Sequence, residues 1–260
     1  MQRVSKAWRW PLACSGLAAV GALFVPIGGP LWAHLIISLG GISGLVRMAH
    51  REIPFAVAVA QWRLGGDDPA VLRARVLSAA ACLPRGRGDL AMARLKAVLA
   101  DLSRVQGPEH PDTLAARCLC LQVRGELGDL PDRIAAMEEL VGSLTHVLGP
   151  GHPDTVGAWY ILGEWFGQDG RDDLAESAYR HVINAGGQEL GLEHNLVLMA
   201  RSSLVILRYE QPGRDKNAAL AEMTAVVDGM ERVLGSDHPT TAATRRLLTQ
   251  WKAGGTGAGT

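Results

Sequence analysis

The sequence predicts an all-α protein, a right-handed helical-repeat solenoid preceded by an apolar N-terminal helical hairpin. Three observations predict this fold class. A short motif recurs at a nearly constant spacing, two stretches with helical character follow each copy, and residues 10–46 form an apolar run. A fixed period of about 20–50 residues is typical of solenoids, in which each unit buries its apolar side against its neighbours.

The apolar run is the first element. It contains no Asp, Glu, Lys or Arg over 37 residues. A single helix of that length would extend about 55 Å, whereas the hydrocarbon core of a bilayer is about 30 Å thick. The Pro- and Gly-rich stretch VPIGGP divides the run at 25–30, so we predict two helices that form a transmembrane hairpin over 10–48. Basic residues flank the hairpin on both sides and place both ends in the cytoplasm: Arg3, Lys6, Arg9, Arg47 and Arg51.

Two other interpretations of this run stay open, a single span or signal anchor and a buried hairpin of a soluble protein. A cleaved secretory signal would leave the second apolar stretch, 31–46, unexplained. The sequence therefore predicts a basic segment, a transmembrane hairpin, a juxtamembrane or capping helix, the repeats and a flexible tail, at 1–9, 10–48, 49–66, 67–252 and 253–260.

Composition limits the classes of function. The formal net charge is zero, but residues 1–63 carry +5 and residues 64–260 carry −5. An acidic domain argues against nucleic-acid binding, where a basic surface supplies most of the affinity. The spacing of the cysteines indicates neither a disulfide framework nor a zinc site, and we expect them to be buried as small apolar side chains: Cys14, Cys82, Cys118 and Cys120.

Signatures of catalysis are missing from the sequence. It contains no phosphate loop, no G-x-S-x-G and no H-E-x-x-H, which are the motifs that phosphate binding, acyl transfer and zinc hydrolysis use. We expect a protein without enzymatic activity, cofactor or metal.

The recurring motif reads QGPEHPDT, LGPGHPDT, LGLEHNLV and LGSDHPTT, and a worn copy, GGDDPAVL, begins at 65. Its four histidines are 42, 42 and 44 residues apart: His110, His152, His194 and His238. After each motif the sequence predicts a helix, a turn at Gly and a second helix. In one second helix the apolar residues are spaced 3, 4, 3 and 4 apart, a one-sided stripe: Ile134, Met137, Val141, Leu144 and Leu148.

The motif is best explained as the start of a helix. Gly ends the preceding helix in a left-handed cap, the residue before Pro avoids the helical region, and Pro suits the first turn. Asp112 and Asp154 then lie at the positive end of the helix dipole. Equivalent corners of packed helices lie about 8–10 Å apart. Zinc ligands must lie within about 2.1 Å of one ion, so the histidines form no metal site.

The stretches LGPGHPDT at 148–155 and ILGEWFGQDGRDDLAESAY at 161–179 resemble the 42-residue tetratricopeptide repeats of the kinesin-light-chain type, which are also common in bacterial signalling proteins. The resemblance covers about 64–252. It implies that the first helices line a concave groove for extended peptides. The family's groove asparagine is replaced in every unit, which departs from its peptide-gripping pattern: Leu77, Leu119, Ile161, Ser203 and Leu247.

One column of side chains is a candidate binding site. Four arginines and a tryptophan stand six residues after each Pro position: Arg75, Arg117, Trp159, Arg201 and Arg245. Arg pairs well with carboxylates, and Arg and Trp are frequent hot-spot residues, so the column could hold an acidic segment of a partner. The alternative is that these arginines are solvated or pair with acids of the repeats, and that Trp159 and Trp165 pack in the core.

We therefore predict a membrane-anchored scaffold or adaptor for protein–protein interaction, at the inner face of a bacterial membrane with its repeats in the cytoplasm. The partner would be a protein or an acidic peptide in the repeat groove. The alternative is an accessory or sensor subunit that acts through its membrane segment and uses the repeats for self-association.

Overall fold

The structure, a computed structural model, describes residues 57–58, 60–83, 88–128, 130–211, 213 and 215–255 of the chain. All regular elements in this part are helical, which confirms the all-α prediction. The predicted segment at 1–9 and hairpin at 10–48 lie outside the described residues. No helix within the described ranges is both long and apolar enough to span a bilayer.

Helical residues at 57–58 and 60–64 precede a series of helix pairs. The first helices of the pairs are α1 (Pro69–Ala80), α3 (Pro111–Leu127), α5 (Pro153–Gln168), α8 (Asn195–Glu210) and α10 (Pro239–Gly255). The second helices are α2 (Gly88–Val105), α4 (Arg133–Leu148), α6 (Asp172–His181) with α7 (Gly187–Glu189), and α9 (Lys216–Leu234). Helix α10 continues past the predicted boundary at 252.

These helices fall into two compact units, α1–α3 and α4–α10. In the first unit α2 packs between α1 and α3, and each of the three helices contributes to one core cluster: Ala79, Met92, Leu95, Cys120 and Val123. Full burial of a Leu, Met or Val side chain contributes about 1.5–3 kcal/mol. Each helix depends on its neighbours for this burial, as expected of a repeat.

In the second unit the helices pack in succession: α4 on α5, α5 on α6, α8 on α6 and α9, and α9 on α10. Three residues of the predicted stripe on α4 are buried, Met137, Val141 and Leu144. A further cluster joins α8, α9 and α10: Val205, Ala219, Met223, Val227 and Leu248.

Each first helix begins at the predicted motif. His110, His152 and His194 are extended residues just before α3, α5 and α8. The Nδ1 atom of each ring accepts a hydrogen bond from the backbone N–H two residues further on, at 3.2 to 3.3 Å. His238 accepts from Thr240 in the same way, and Asp68 caps α1. The motif is a helix start, as predicted, and its histidine is the N-cap.

Glycines with positive φ end the helices. Gly128 follows a first helix with φ 74° and ψ 13°, the left-handed helical conformation. Gly149 follows a second helix with φ 91° and ψ 162°, so the predicted left-handed cap is wrong at this end, where φ is positive but ψ is extended. Positive φ recurs at the equivalent corners: Gly65, Gly107, Gly170, Gly191, Gly213 and Gly235. Gly88 differs, because it is the first residue of α2 rather than a turn. A Cβ there would lie 3.1 Å from Leu127 Cδ2.

The second helix of the third pair contains a π-helical segment, Val182–Gly186, between α6 and α7. A Cβ on Gly186 would lie 3.1 Å from Val156 Cγ1 and 3.2 Å from Val197 Cγ2, at the starts of α5 and α8. A Cβ on Gly151 would lie 3.1 Å from the carbonyl oxygen of Ala185. Glycine at these two positions therefore lets the wide turn pack closely, a feature that the sequence pattern did not predict.

The cysteines in the described ranges form no disulfide. Cys82 and Cys120 are buried and Cys118 is half-buried. Burial raises the pKa of the Cys120 thiol to about 11. As expected, Cys82 and Cys120 pack as small hydrophobes. Cys14 lies outside the described residues.

Candidate partner-binding surface

The arginine column can be followed residue by residue within each unit. Arg75 Nη1 of α1 donates to Asp101 Oδ2 of α2 at 2.7 Å, and the Arg75 side chain is only 21% exposed. This hydrogen bond, followed by one from Arg104, lowers the pKa of the Asp101 carboxyl. Arg117 of α3 is half-buried and interacts with other groups of the chain.

In the second unit the column contains Trp159, Arg201 and Arg245. Arg245 Nη1 donates to Glu231 Oε1 of α9 at 2.8 Å, and its Nη2 donates to the carbonyl oxygen of Ser236 at 3.2 Å. Arg201 of α8 is half-buried, and no ion pair joins it to another described residue. The two paired arginines therefore already have carboxylate partners on second helices.

Trp159 lies against the second helix of its own pair. Its ring and that of His181 are tilted by 32°, with centroids 4.5 Å apart. Trp159 Nε1 and His181 Nε2 are buried, and neither finds a hydrogen-bond partner among the described residues. Burial lowers the pKa of His181. Trp165 is a core residue, 3% exposed, with the Arg133 guanidinium 5.5 Å from its ring centroid.

A different group of polar side chains converges where α5, α6 and α8 meet. Glu164 Oε1 accepts a hydrogen bond from the Tyr179 hydroxyl at 2.7 Å and another from the Ser203 hydroxyl at 3.1 Å. The Tyr160 hydroxyl lies 3.4 Å from Ser203 Oγ. We call these four residues, Tyr160, Glu164, Tyr179 and Ser203, the Glu164 cluster. It links two neighbouring first helices, α5 and α8, through the Glu164–Ser203 bond.

Burial and charge both act on the tyrosines of the Glu164 cluster. Tyr160 is 7% exposed and Tyr179 is 5% exposed. Burial, and then the negative charge of Glu164, raise the pKa of both phenols well above the ordinary value of 10.0. Both tyrosines are therefore neutral near pH 7, and Tyr179 acts as a fixed hydrogen-bond donor to the carboxylate.

A glycine makes room for this arrangement. A Cβ on Gly163 would lie 2.7 Å from Cε1 of Tyr179. The sequence pattern did not single out the Glu164 cluster, because its members come from three helices. The sequence drew attention only to Ser203, which stands where kinesin-light-chain type repeats have their groove asparagine.

The repeats that carry the Glu164 cluster are acidic. Residues 130–260 contain eleven Arg and Lys against seventeen Asp and Glu, a net charge of −6. Across the described ranges, no group of three or more His, Cys, Asp or Glu side chains could hold a metal ion. The arrangement offers hydrogen-bond acceptors and apolar contacts, which are the elements of a binding surface.

Comparison with known proteins agrees with the helical-repeat fold. No protein-family model and no curated protein matches the chain. Among solved structures, a putative kinesin light chain from Podosopora anserina with nearly identical TPR-like repeats is 20% identical, with 73% of this chain and 89% of that chain covered and a TM-score of 0.52. A variant of the same protein gives a TM-score of 0.53.

A second similar structure is BtubC (BKLC) from P. vanneervenii. It is 12% identical, with 85% of this chain and 94% of that chain covered and a TM-score of 0.52. The chain therefore has the fold of tetratricopeptide-like helical repeats, and its solved neighbours are kinesin-light-chain repeat proteins. Identities at this level establish the fold alone.

Proposed function

We propose that this protein is a scaffold for protein–protein interaction and that the first helices of its repeats bind a segment of a partner protein. Stacked helix pairs create extended surfaces that repeat proteins use for binding. The observation that carries the proposal is the hydrogen bond from Ser203 of α8 to Glu164 of α5, because it makes one surface from two successive first helices.

An acidic partner segment is the finer form of this proposal, with the arginine column as its site. Arg201 supports it best, because this half-buried cation has no carboxylate partner among the described residues. Arg75 and Arg245 would have to exchange Asp101 and Glu231 for the partner's carboxylates. Trp159 would offer its half-buried ring, and Arg117 would supply a further guanidinium.

The scaffold would be held at the bacterial cell membrane by residues 10–48, with the repeats in the cytoplasm. The uncharged run and its flanking basic residues support this part of the proposal. The other candidate is an accessory or sensor subunit that acts through the membrane segment and uses the repeats for self-association. The same uncharged run supports it.

Capture from a bacterial lysate by the full chain, solubilised in detergent, tests the scaffold and the arginine column together. The test variant is Arg117→Glu with Arg201→Glu. The matched control is Arg246→Glu with Lys252→Glu, which makes the same charge change at two exposed positions of α10. Circular dichroism melts of each variant establish that the helices remain folded.

We expect a partner that the control retains and the test variant loses. A partner retained by both variants would contradict the arginine column and leave the scaffold proposal standing. Self-association without any captured protein would favour the accessory subunit. Sedimentation of the full chain with membranes in high salt tests the anchor, and recovery in the supernatant would contradict it.

A further inference from the structure

The carboxylate of Glu164 is held in place by hydrogen bonds to only one of its two oxygens. Both of its hydrogen-bond donors, the Tyr179 and Ser203 hydroxyls, bind the same oxygen, Oε1. Oε2 has no hydrogen-bond or ion-pair partner among the described residues. A buried or half-buried carboxylate normally pairs with a cation or with further donors, so Oε2 has room for one more partner.

The charge of the unit that contains Glu164 favours a cationic partner. Glu210, on the same helix as Ser203, and Asp172 of α6 also have no ion pair with another described residue. The unit as a whole carries a net charge of −6 over residues 130–260. A cation would relieve this excess, whereas an anion would add to it.

Apolar side chains lie one helical turn from each residue of the Glu164–Ser203 hydrogen bond. Ile161 precedes Glu164 by one turn and Ile206 follows Ser203 by one turn. Both are half-buried, and Ile206 also packs against the core cluster of α8, α9 and α10. On a helix, residues three apart share a face. The aliphatic part of an Arg or Lys side chain, and its apolar neighbours in an extended segment, would cover these two residues.

We propose that this surface binds the cationic side chain, Arg or Lys, of an extended partner segment, with the cation on Glu164 and apolar neighbours on Ile161 and Ile206. The inference rests on the proposed scaffold function and names the chemistry of its partner. Because Tyr179 and Ser203 already fix the carboxylate, it loses little rotational freedom on binding. A charge-assisted hydrogen bond to a guanidinium contributes about twice as much as one between neutral groups.

This site is separate from the arginine column. Glu164 follows Trp159 by five residues, which places the two side chains about 140° apart around α5. The Trp159 ring lies against His181 of α6. Glu164 accepts hydrogen bonds from Tyr179, also of α6, and from Ser203 of the neighbouring first helix. An acidic segment and a basic segment would therefore bind to different sides of the first helices.

The test uses the full chain in detergent and four libraries of fluorescent nonapeptides. Each library has a fixed central Arg, Lys, Glu or Ala and mixed residues elsewhere, and binding is measured by fluorescence anisotropy. We expect the Arg- and Lys-centred libraries to bind at least about tenfold more tightly than the Glu-centred library. A tenfold change corresponds to about 1.4 kcal/mol, close to the lower end of what one hydrogen bond to a charged group contributes.

Glu164→Gln is the decisive variant, because glutamine keeps an oxygen acceptor for Tyr179 and Ser203 while it removes the charge. We expect it to abolish the tenfold preference for cationic libraries without lowering the melting temperature by more than a few degrees. Asp228→Asn makes the same charge change at an exposed position of α9 and should leave the preference intact. Tyr179→Phe with Ser203→Ala keeps the charge but frees the carboxylate, and should weaken cationic binding by about threefold.

Preference for the Glu-centred library, or a cationic preference that survives Glu164→Gln, would overturn this inference. If lysate proteins are still captured in that case, the scaffold proposal stands and only the cation site fails. If the folded chain captures no protein and binds none of the libraries, both proposals fail.

Discussion

One position in each repeat shows how two different side chains perform the same task. Asp68 caps α1 with a carboxylate oxygen, and His194 caps α8 with the Nδ1 atom of its ring. The ring accepts a hydrogen bond at Nδ1 only when it is neutral and its proton is on Nε2. Burial lowers the pKa of His194 below the ordinary value of 6.5, so the fold favours the capping form.

This cap makes stability depend on pH. Since the folded pKa of His194 is depressed, the unfolded chain binds the proton more readily, and stability falls as the pH drops below about 6.5. In His194→Asp the cap would be a carboxylate, which needs no bound proton to accept the hydrogen bond. We expect this variant to lose less stability between pH 7.5 and 5.5, by about 1 kcal/mol.

Urea unfolding at several pH values measures this difference. His146→Gln, at an exposed position of α4, is the control and should keep the slope of the unaltered chain. Equal slopes in His194→Asp and the control would contradict a titrating cap.

Thr155 illustrates a hydroxyl that the fold leaves without a partner. It is fully buried, and its Oγ1 has no hydrogen bond to any described residue, as at Thr113 and Thr241. The equivalent positions in two other repeats hold Val71 and Val197, both 0% exposed. An unsatisfied buried hydroxyl costs about 1–3 kcal/mol, and valine has nearly the same shape.

We expect Thr155→Val to raise the free energy of unfolding by about 1 kcal/mol. Thr155→Ser keeps the hydroxyl but removes the methyl group, and should lower it by a similar amount. Chemical denaturation measures both changes. A loss of stability in Thr155→Val would mean that the hydroxyl has a partner, such as a buried water molecule.

At the scale of elements, α10 protects the last core cluster. Leu248 packs into the cluster with Met223 and Val227 of α9, and the opposite side of α10 is polar and exposed, including Arg246 and Lys252. A helix with one apolar and one polar side acts as a cap for a stack of repeats, because it covers the core below it and presents a soluble surface.

Removal of residues 239–260 should therefore expose the α8–α9 apolar side. We expect strong binding of an apolar dye such as ANS and aggregation at micromolar concentration. Removal of 256–260 alone should change neither property, since those residues follow α10. A truncated chain that binds no dye and does not aggregate would contradict the expectation that α10 covers the apolar side of α8 and α9.

Helix positions could be predicted from the sequence because their determinants are local. The N-caps, the Pro at the first turn and the closing Gly lie within a few residues of each boundary. The π-helical segment was not predicted, because the close approaches of Gly151 to Ala185 and of Gly186 to Val156 and Val197 arise only in the packed fold. The Glu164 cluster was missed for the same reason, since Tyr160, Tyr179 and Ser203 meet only in the fold.

At the scale of the whole molecule, the distribution of charge determines which partners the repeats favour. Arg208 of α8 pairs with Glu176 of α6 at 3.1 Å, and Arg232 of α9 pairs with Glu193, in the connection before α8, at 2.6 Å. The second pair is exposed and therefore contributes little stability. Residues 130–260 carry a net charge of −6, whereas residues 1–63 carry +5. The sequence predicted this asymmetry, but the surface that a partner uses depends on which acids remain unpaired after folding.

The positive φ of the corner glycines determines which chirality of amino acid could replace them. At Gly128 and Gly149 a Cβ would meet no atom within 4 Å, so the obstacle to a side chain is the positive φ and not a lack of space. A D-alanine, introduced by chemical ligation, adopts positive φ without strain. Because it lowers the conformational entropy of the unfolded chain, it would raise the free energy of unfolding by about 0.4–1 kcal/mol per site. At these corners a mirror-image amino acid suits the backbone better than its natural counterpart.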